Sequence, residues 1–247
     1  AMQQPADLPQ GIDLSLPVME GLARAWYIGG MQKKPVVLGE WKGSVDLGGS
    51  VNFTDLTLNP HAHGSHTETL GHVCKGDHPI HLLRWPLLIP LTLVTVDGSE
   101  DHGLCITLSD IQSALGDGPL DRAIALRTLP STMDVSKRDH SNCNWPYLHP
   151  EAAAWLASES VTELLTESPS IDPEEDGGAL AAHRAFWGLS ANEVNAGRQA
   201  RHEATITELI HIPPSVADGA YALNLQVAAI DNDAAPCRPI IYPKEIL

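Results

Sequence analysis

Apolar and polar positions alternate over residues 11–18, a period-2 pattern that predicts a first strand. Residues 87–96 form a nearly continuous run rich in Leu, Ile, Thr and Val, as expected of a strand buried on both faces, and residues 122–128 read the same way. Further strands are predicted over residues 161–165, 204–212, 219–230 and 237–242. Residues 45–47 and 51–58 flank Gly48-Gly49-Ser50, the signal of a hairpin. Helices are expected where Ser109 and Gln112 suggest a capping box before Gly116, over residues 149–158 with Pro150 in the first turn, and over the apolar segment 179–187. The stretches 21–39, 130–146, 173–178 and 190–202 read as irregular or polar connections. The picture is an α/β chain in which residues 1–10 are a flexible lead and residues 11–247 one domain.

Composition narrows the function classes. At 247 residues and 43% hydrophobic the chain can build one substantial α/β core. A net charge of −16, with no basic cluster to offset it, repels a phosphate backbone and argues against a nucleic-acid partner. Cys74, Cys105, Cys143 and Cys237 are scattered without a Cys-x-x-Cys pair, so free thiols in a reducing compartment are expected. The start of the chain has neither a basic lead nor an apolar run, and the longest apolar stretch, residues 85–96, contains Pro86 and Pro90 and is too short to cross a bilayer. These features point to a cytoplasmic protein without a membrane partner.

The chemistry is concentrated in residues 61–72, His-Ala-His-Gly-Ser-His-Thr-Glu-Thr-Leu-Gly-His, which hold four of the chain's 12 histidines and Glu68. Imidazole nitrogen and carboxylate oxygen both suit zinc, manganese or iron. His66, Glu68 and His72 are spaced by even numbers, so an extended segment carries all three on one face, and Gly64 lets the backbone bend to bring His61 or His63 round to them. A histidine-rich surface loop is the competing reading. Glu208, in an otherwise apolar strand, is a second clue, because a buried carboxylate needs a compensating cation or hydrogen bonds.

The segment resembles the signature of the metal-dependent cyclase and arylformamidase family, His-x-Gly-Thr-His-x-Asp-x-Pro-x-His, which includes kynurenine formamidase and isatin hydrolase. Gly64, Ser65, His66, Glu68, Leu70 and His72 stand at its positions from the glycine onward. Glu68 replaces the aspartate, Leu70 the proline and Ala62 the first histidine, so His61 or His63 must substitute there; His61 is preferred. Asp13-Leu14-Ser15, Arg127-Thr128, Ser170-Ile171-Asp172, Ala182-His183-Arg184 and Asp233-Ala-Ala-Pro-Cys-Arg238 resemble further family segments, so the likeness runs through most of the chain.

The resemblance implies a swivelling β/β/α fold, a mixed sheet with few helices. It implies one or two divalent ions, zinc or manganese, held by His61, His66 and Glu68 on one side and by Glu68, His183 and Glu208 on the other. His202 competes with His183. His72 becomes the acid/base of a hydrolysis that cleaves a carbon–nitrogen bond in a small amide, formamide or lactam. Trp26 and Tyr27 are candidates for substrate contact, with packing as the alternative. Ring closure by dehydration, and a non-catalytic metal or small-ligand binder on the same scaffold, are the other readings. Family members are usually oligomeric, so a homodimer or homotetramer is expected, acting on a small molecule.

Overall fold

The computed structural model describes residues 10–21, 23–98, 103–118, 120–129 and 138–246. The expected flexible lead, except for residue 10, and residues 130–137 of the expected long loop lie outside these.

The first strand, β1 (Ile12–Asp13), is shorter than the alternation suggests. Beyond it Leu14 and Leu16 are buried; the Leu14 N–H donates to the Pro239 carbonyl at 2.9 Å, the Leu16 carbonyl accepts the Ser65 N–H at 3.0 Å, and Ser15 bridges to Ile210. Strands β2 (Gln32–Pro35), β3 (Val37–Leu38), β4 (Trp41–Lys42) and β5 (Thr54–Thr57) form two small ribbons outside the main sheet, β2 with β5 and β3 with β4. The predicted hairpin at Gly48-Gly49-Ser50 is therefore absent. Val45–Leu47 is a 3-10 turn, and β5 pairs with the distant β2. The glycines are there for close approach: a Cβ on Gly43 would sit 2.3 Å from the Phe53 carbonyl oxygen, and one on Gly49 would sit 2.0 Å from that of Lys42.

The main sheet adds β6 (His66–Glu68), β7 (Ile89–Asp97), β9 (Ala123–Leu129), β11 (Glu163–Thr166), β12 (Thr205–Glu208), β13 (Gly219–Val227) and β14 (Ala234–Pro243). Its order is β1-β14-β13-β7-β9-β11-β12-β6, and β14 also pairs with β6, so seven strands close into a barrel-like sheet with β1 appended. The strands β7, β9, β11 and β12 run parallel, the others antiparallel. Two-residue strands β8 (Cys105–Ile106) and β10 (Tyr147–Leu148) pair separately.

Both faces of the central strands are buried, as their apolar runs require. Ile89, Leu91, Leu93, Ala123, Ala125 and Leu165 meet Leu14, Leu223 and Ile241 in one cluster. The alternate residues Val94, Val96, Ile124, Leu126 and Leu164 pack against the helices α1 (Leu108–Leu115), α2 (Pro150–Ser158) and α3 (Ala181–Phe186). The capping box of α1 uses Thr107 and Asp110, not Ser109 and Gln112. His149 caps α2, whose first residue is Pro150 as expected. The two chain ends are joined by Arg238, whose Nε donates to Asp13 Oδ2 at 2.8 Å, while Asp13 Oδ1 accepts the Ser15 hydroxyl.

Candidate metal centre

β6 carries His66 and Glu68 two residues apart, hence on one face, and β12 pairs with it so that Glu208 lies opposite His66 and Ile206 opposite Glu68. Ile206 belongs to the helix-side core, so these side chains point toward the helices, where α3 supplies His183. The bend before β6 is set by Gly64, at φ +67°, whose missing Cβ would meet the Leu16 carbonyl oxygen at 2.8 Å. Ser65 fixes the same bend: its hydroxyl donates to the Leu209 carbonyl and accepts the Leu16 N–H at 2.7 Å. His61 is thereby turned back over Glu68, and a 3-10 turn, Leu70–His72, returns His72 to the same place.

The result is one cluster. His61 Nδ1 is 3.0 Å and His72 Nδ1 3.8 Å from Glu68 Oε2, while His183 Nε2 is 2.9 Å from Glu68 Oε1. Glu208 Oε1 lies 3.4 Å from His183 Nε2, and its Oε2 lies 3.3 Å from His66 Nε2. His66, Glu68, His183 and Glu208 are buried; His61 and His72 are partly open. Burial disfavours a charged Glu68, but the facing His72 and His183 imidazoles outweigh it and hold the carboxyl well below its ordinary range. The reverse holds for His183: burial opposes its protonation, and Glu68, Asp172 and Glu208 raise it well above the usual imidazole value. Asp172 also fixes the ring, accepting His183 Nδ1–H at 2.5 Å and the backbone N–H groups of Ala182 and His183.

These residues suit a metal. His66 Nε2, both Glu68 oxygens and His183 Nε2 are buried without a well-formed hydrogen bond, which is costly for polar atoms unless a cation meets them. The sets His61/His66/Glu68 and Glu68/His72/His183 each place three donor atoms within 4.8 Å of one another, as does His61/His72/Asp233. Mixed imidazole and carboxylate donors fit a borderline divalent ion.

Other sequence candidates stand elsewhere. His63 is turned away, with Nε2 2.9 Å from the Gly29 carbonyl oxygen and Nδ1 accepting the Asn59 N–H. His202 binds the Gly197 carbonyl and lies 5.9 Å from the His78 ring. Trp26 packs edge-on against Trp145 with centroids 5.1 Å apart, and Tyr27, exposed, donates its hydroxyl to Glu174 at 2.7 Å. Trp145 in turn donates Nε1–H to the Asp172 carbonyl, so Trp26 reaches the cluster only through intermediaries. Sequence reasoning gave Asp172 and Asp233 no part in the site. Asp172 sits in the Ser-Ile-Asp turn and Asp233 in the closing motif, yet neither falls in the histidine-rich stretch.

A family model described as "Putative cyclase" matches residues 12–173, about two-thirds of the chain. The chain belongs to the cyclase family. A relative named kynurenine formamidase, from Bordetella pertussis, is 26% identical over 213 residues, covering 82% of this chain and 86% of its own length. An isatin hydrolase bound to the product analogue thioisatinate superposes with a TM-score of 0.70 at 12% identity, over 95% of this chain and 93% of its own. A structure from Bacillus stearothermophilus, described as a predicted metal-dependent hydrolase, superposes with a TM-score of 0.63 at 17% identity, over 95% and 98%. At such identities the structural likenesses establish the cyclase-family fold, a barrel-like mixed sheet with three helices among the described residues.

Proposed function

We propose that this cyclase-family protein is a metal-dependent hydrolase of a carbon–nitrogen bond in a small amide, formamide or lactam. The observation that carries this reading is the convergence of buried His66 Nε2, His183 Nε2 and the Glu68 carboxylate, none with a well-formed hydrogen bond, beside the partly open His72. His61, His66, Glu68, His183 and Glu208 would hold one or two zinc or manganese ions. Such an ion, when bound, polarises a carbonyl oxygen and makes water a nucleophile near neutral pH. The chain's own part is then proton handling. His72 takes a proton from the attacking water as the carbon–oxygen bond forms, and delivers it to the nitrogen as the carbon–nitrogen bond breaks. Its side chain is 29% exposed, open enough to meet a substrate and to exchange protons with solvent. The position of His61 against Glu68 favours turnover over mere binding, because it supplies a donor where Ala62 has none. The names of the relatives support a C–N hydrolase without fixing the substrate.

The test is His72→Ala in metal-loaded protein, assayed on aryl formamides, isatin-like lactams and lactones. The expected result is wild-type metal content with kcat lower by about 10²–10⁴-fold. Unchanged turnover in the variant, or a loaded wild type inactive across the panel, sinks the reading.

We also infer that copies of the chain associate through residues 32–57. Val37, Leu38, Val45, Leu47, Phe53 and Leu56 are each more than half exposed there. Two-stranded ribbons with open apolar faces are marginal alone and gain by being covered. Lys33, Lys34 and Lys42 in the same arm balance its Glu40, Asp46 and Asp55, so this face of an otherwise acidic chain carries no net charge to repel a second copy.

A further inference from the structure

The geometry points to Asp233 as the positioning residue that makes His61 usable as a ligand through Nδ1, in place of the histidine missing at Ala62. This rests on the reading of the cluster as a metal centre. Asp233 Oδ2 lies 2.8 Å from His61 Nε2, and His61 Nδ1 faces Glu68 Oε2 at 3.0 Å. A carboxylate can only accept, so Asp233 holds a proton on Nε2; Glu68 Oε2 likewise holds one on Nδ1 until a metal ion takes its place, and with Nε2–H kept by Asp233 the Nδ1 lone pair is then left for the ion. Carboxylates behind metal-bound histidines act this way generally, fixing tautomer and ring together. Asp172 stands in the same relation to His183, but from the opposite side of the ring: there Nδ1 is held and Nε2 faces Glu68.

The local structure is built for the contact. The Asp233 carbonyl accepts the Thr69 N–H at 3.0 Å, and its neighbour Asn232 accepts the Ile80 N–H at 2.8 Å, so the backbone is pinned on both sides of the turn. Gly71 opens the space for it: a Cβ there would meet Asp233 Cβ at 3.0 Å and His78 Cβ at 3.1 Å. Asp233 Oδ2 also lies 3.7 Å from His72 Nδ1, and the His61 and His72 rings lie tilted at 34° to one another with centroids 4.4 Å apart. One carboxylate therefore sets His61 directly and borders the proposed acid/base. Asp231, two residues earlier, faces His81 at 3.6 Å and is 82% exposed, which makes it the matched control.

The experiment compares wild type, Asp233→Asn, Asp233→Leu and Asp231→Leu as full chains. Zinc affinity is measured by competition with a chromophoric chelator, and the His61 tautomer by 15N NMR of the zinc-loaded proteins. Asp233→Leu should bind zinc about 10- to 100-fold more weakly and lose the Nε2–H tautomer. Asp233→Asn, which still offers an acceptor oxygen, should keep the tautomer and recover most of the affinity; Asp231→Leu should match wild type. Undiminished affinity in Asp233→Leu, or equal losses in the Leu and Asn variants, overturns the inference. A proton on Nδ1 of His61 in the zinc-loaded wild type overturns it too, whether or not the variants fold. A wild type that takes up no zinc overturns instead the metal-centre reading beneath it.

Discussion

The histidine cradle and the arm over residues 32–57 break the same rule in opposite directions. In the cradle, charged and polar atoms are buried: Glu68, His66 and His183 are almost wholly enclosed, and four of their atoms lack a proper hydrogen bond. In the arm, apolar side chains are open: six are more than half exposed on the ribbons and the turn between them, none of which joins the main sheet. A buried polar atom and an open apolar patch each cost stability, and each cost is offset when the matching partner binds. The lesson is that inverted burial reads as an unfinished interface, and its polarity names what completes it. A cation suits the cradle, another protein surface the arm.

The largest test of this contrast is Glu68→Gln. The change removes the carboxylate that faces three imidazoles, so metal content should fall to background and activity by about 10⁴-fold or more, while the oligomeric state is kept. Elemental analysis beside light scattering reads both. Loss of association as well would mean that the two regions are not separate interfaces. The complementary change, Val37→Asp with Leu38→Asp, places two charges on the most open part of the arm. Each buried apolar side chain is worth about 1.5–3 kcal/mol, so subunit dissociation should strengthen by about 100-fold or more, with metal content unchanged. A monomeric wild type at micromolar concentration would remove the arm's proposed role.

The cradle was far more legible in the sequence than the arm. Spacings of two along an extended segment put His66 and Glu68 on one face regardless of what surrounds them, and a carboxylate in an apolar strand singles out Glu208 by its burial cost. Likewise β7 and β9 announce themselves by composition, and α2 by Pro150. What failed was everything decided by distant partners. The glycines at 48 and 49 look like a hairpin turn, yet Gly49 is needed for its approach to Lys42, and β5 finds a β2 whose last residue, Pro35, lies 19 positions before its partner Thr54. Asp233 stands in the closing motif with no sign of a role at the site, because no local pattern reveals that β14 returns to β6 and closes the sheet. That closure is the event that brings Asp233 to His61.

The smallest and most discriminating test lies where the two regions meet, in residues 23–30. This segment is tied to the cradle's approach by Ala25 N–H donating to the Ala62 carbonyl at 3.0 Å and by the His63 ring against Gly29. Its bend is made at Trp26 and Tyr27, both at positive φ, a conformation that non-glycine residues adopt only when held. Glu174 does part of the holding: it accepts the Tyr27 hydroxyl and the backbone N–H groups of Asn142, Cys143 and Asn144. Partial burial raises the Glu174 carboxyl, but these hydrogen bonds outweigh it and the net shift is downward. A carboxyl lowered in the folded state stabilises it above the ordinary carboxylate range, and that contribution is lost as pH falls through the lowered folded value. Amide protection at residues 142–144 should therefore decline below about pH 4 in wild type. In Glu174→Gln it should already be reduced at neutral pH, by less than about tenfold because the group is only partly buried. Metal content should not move, since Glu174 touches none of the proposed ligands. If association weakens in this variant, the Trp26–Tyr27 bend sets the angle at which the arm leaves the barrel; if it does not, cradle and arm are independent interfaces joined by an ordinary loop.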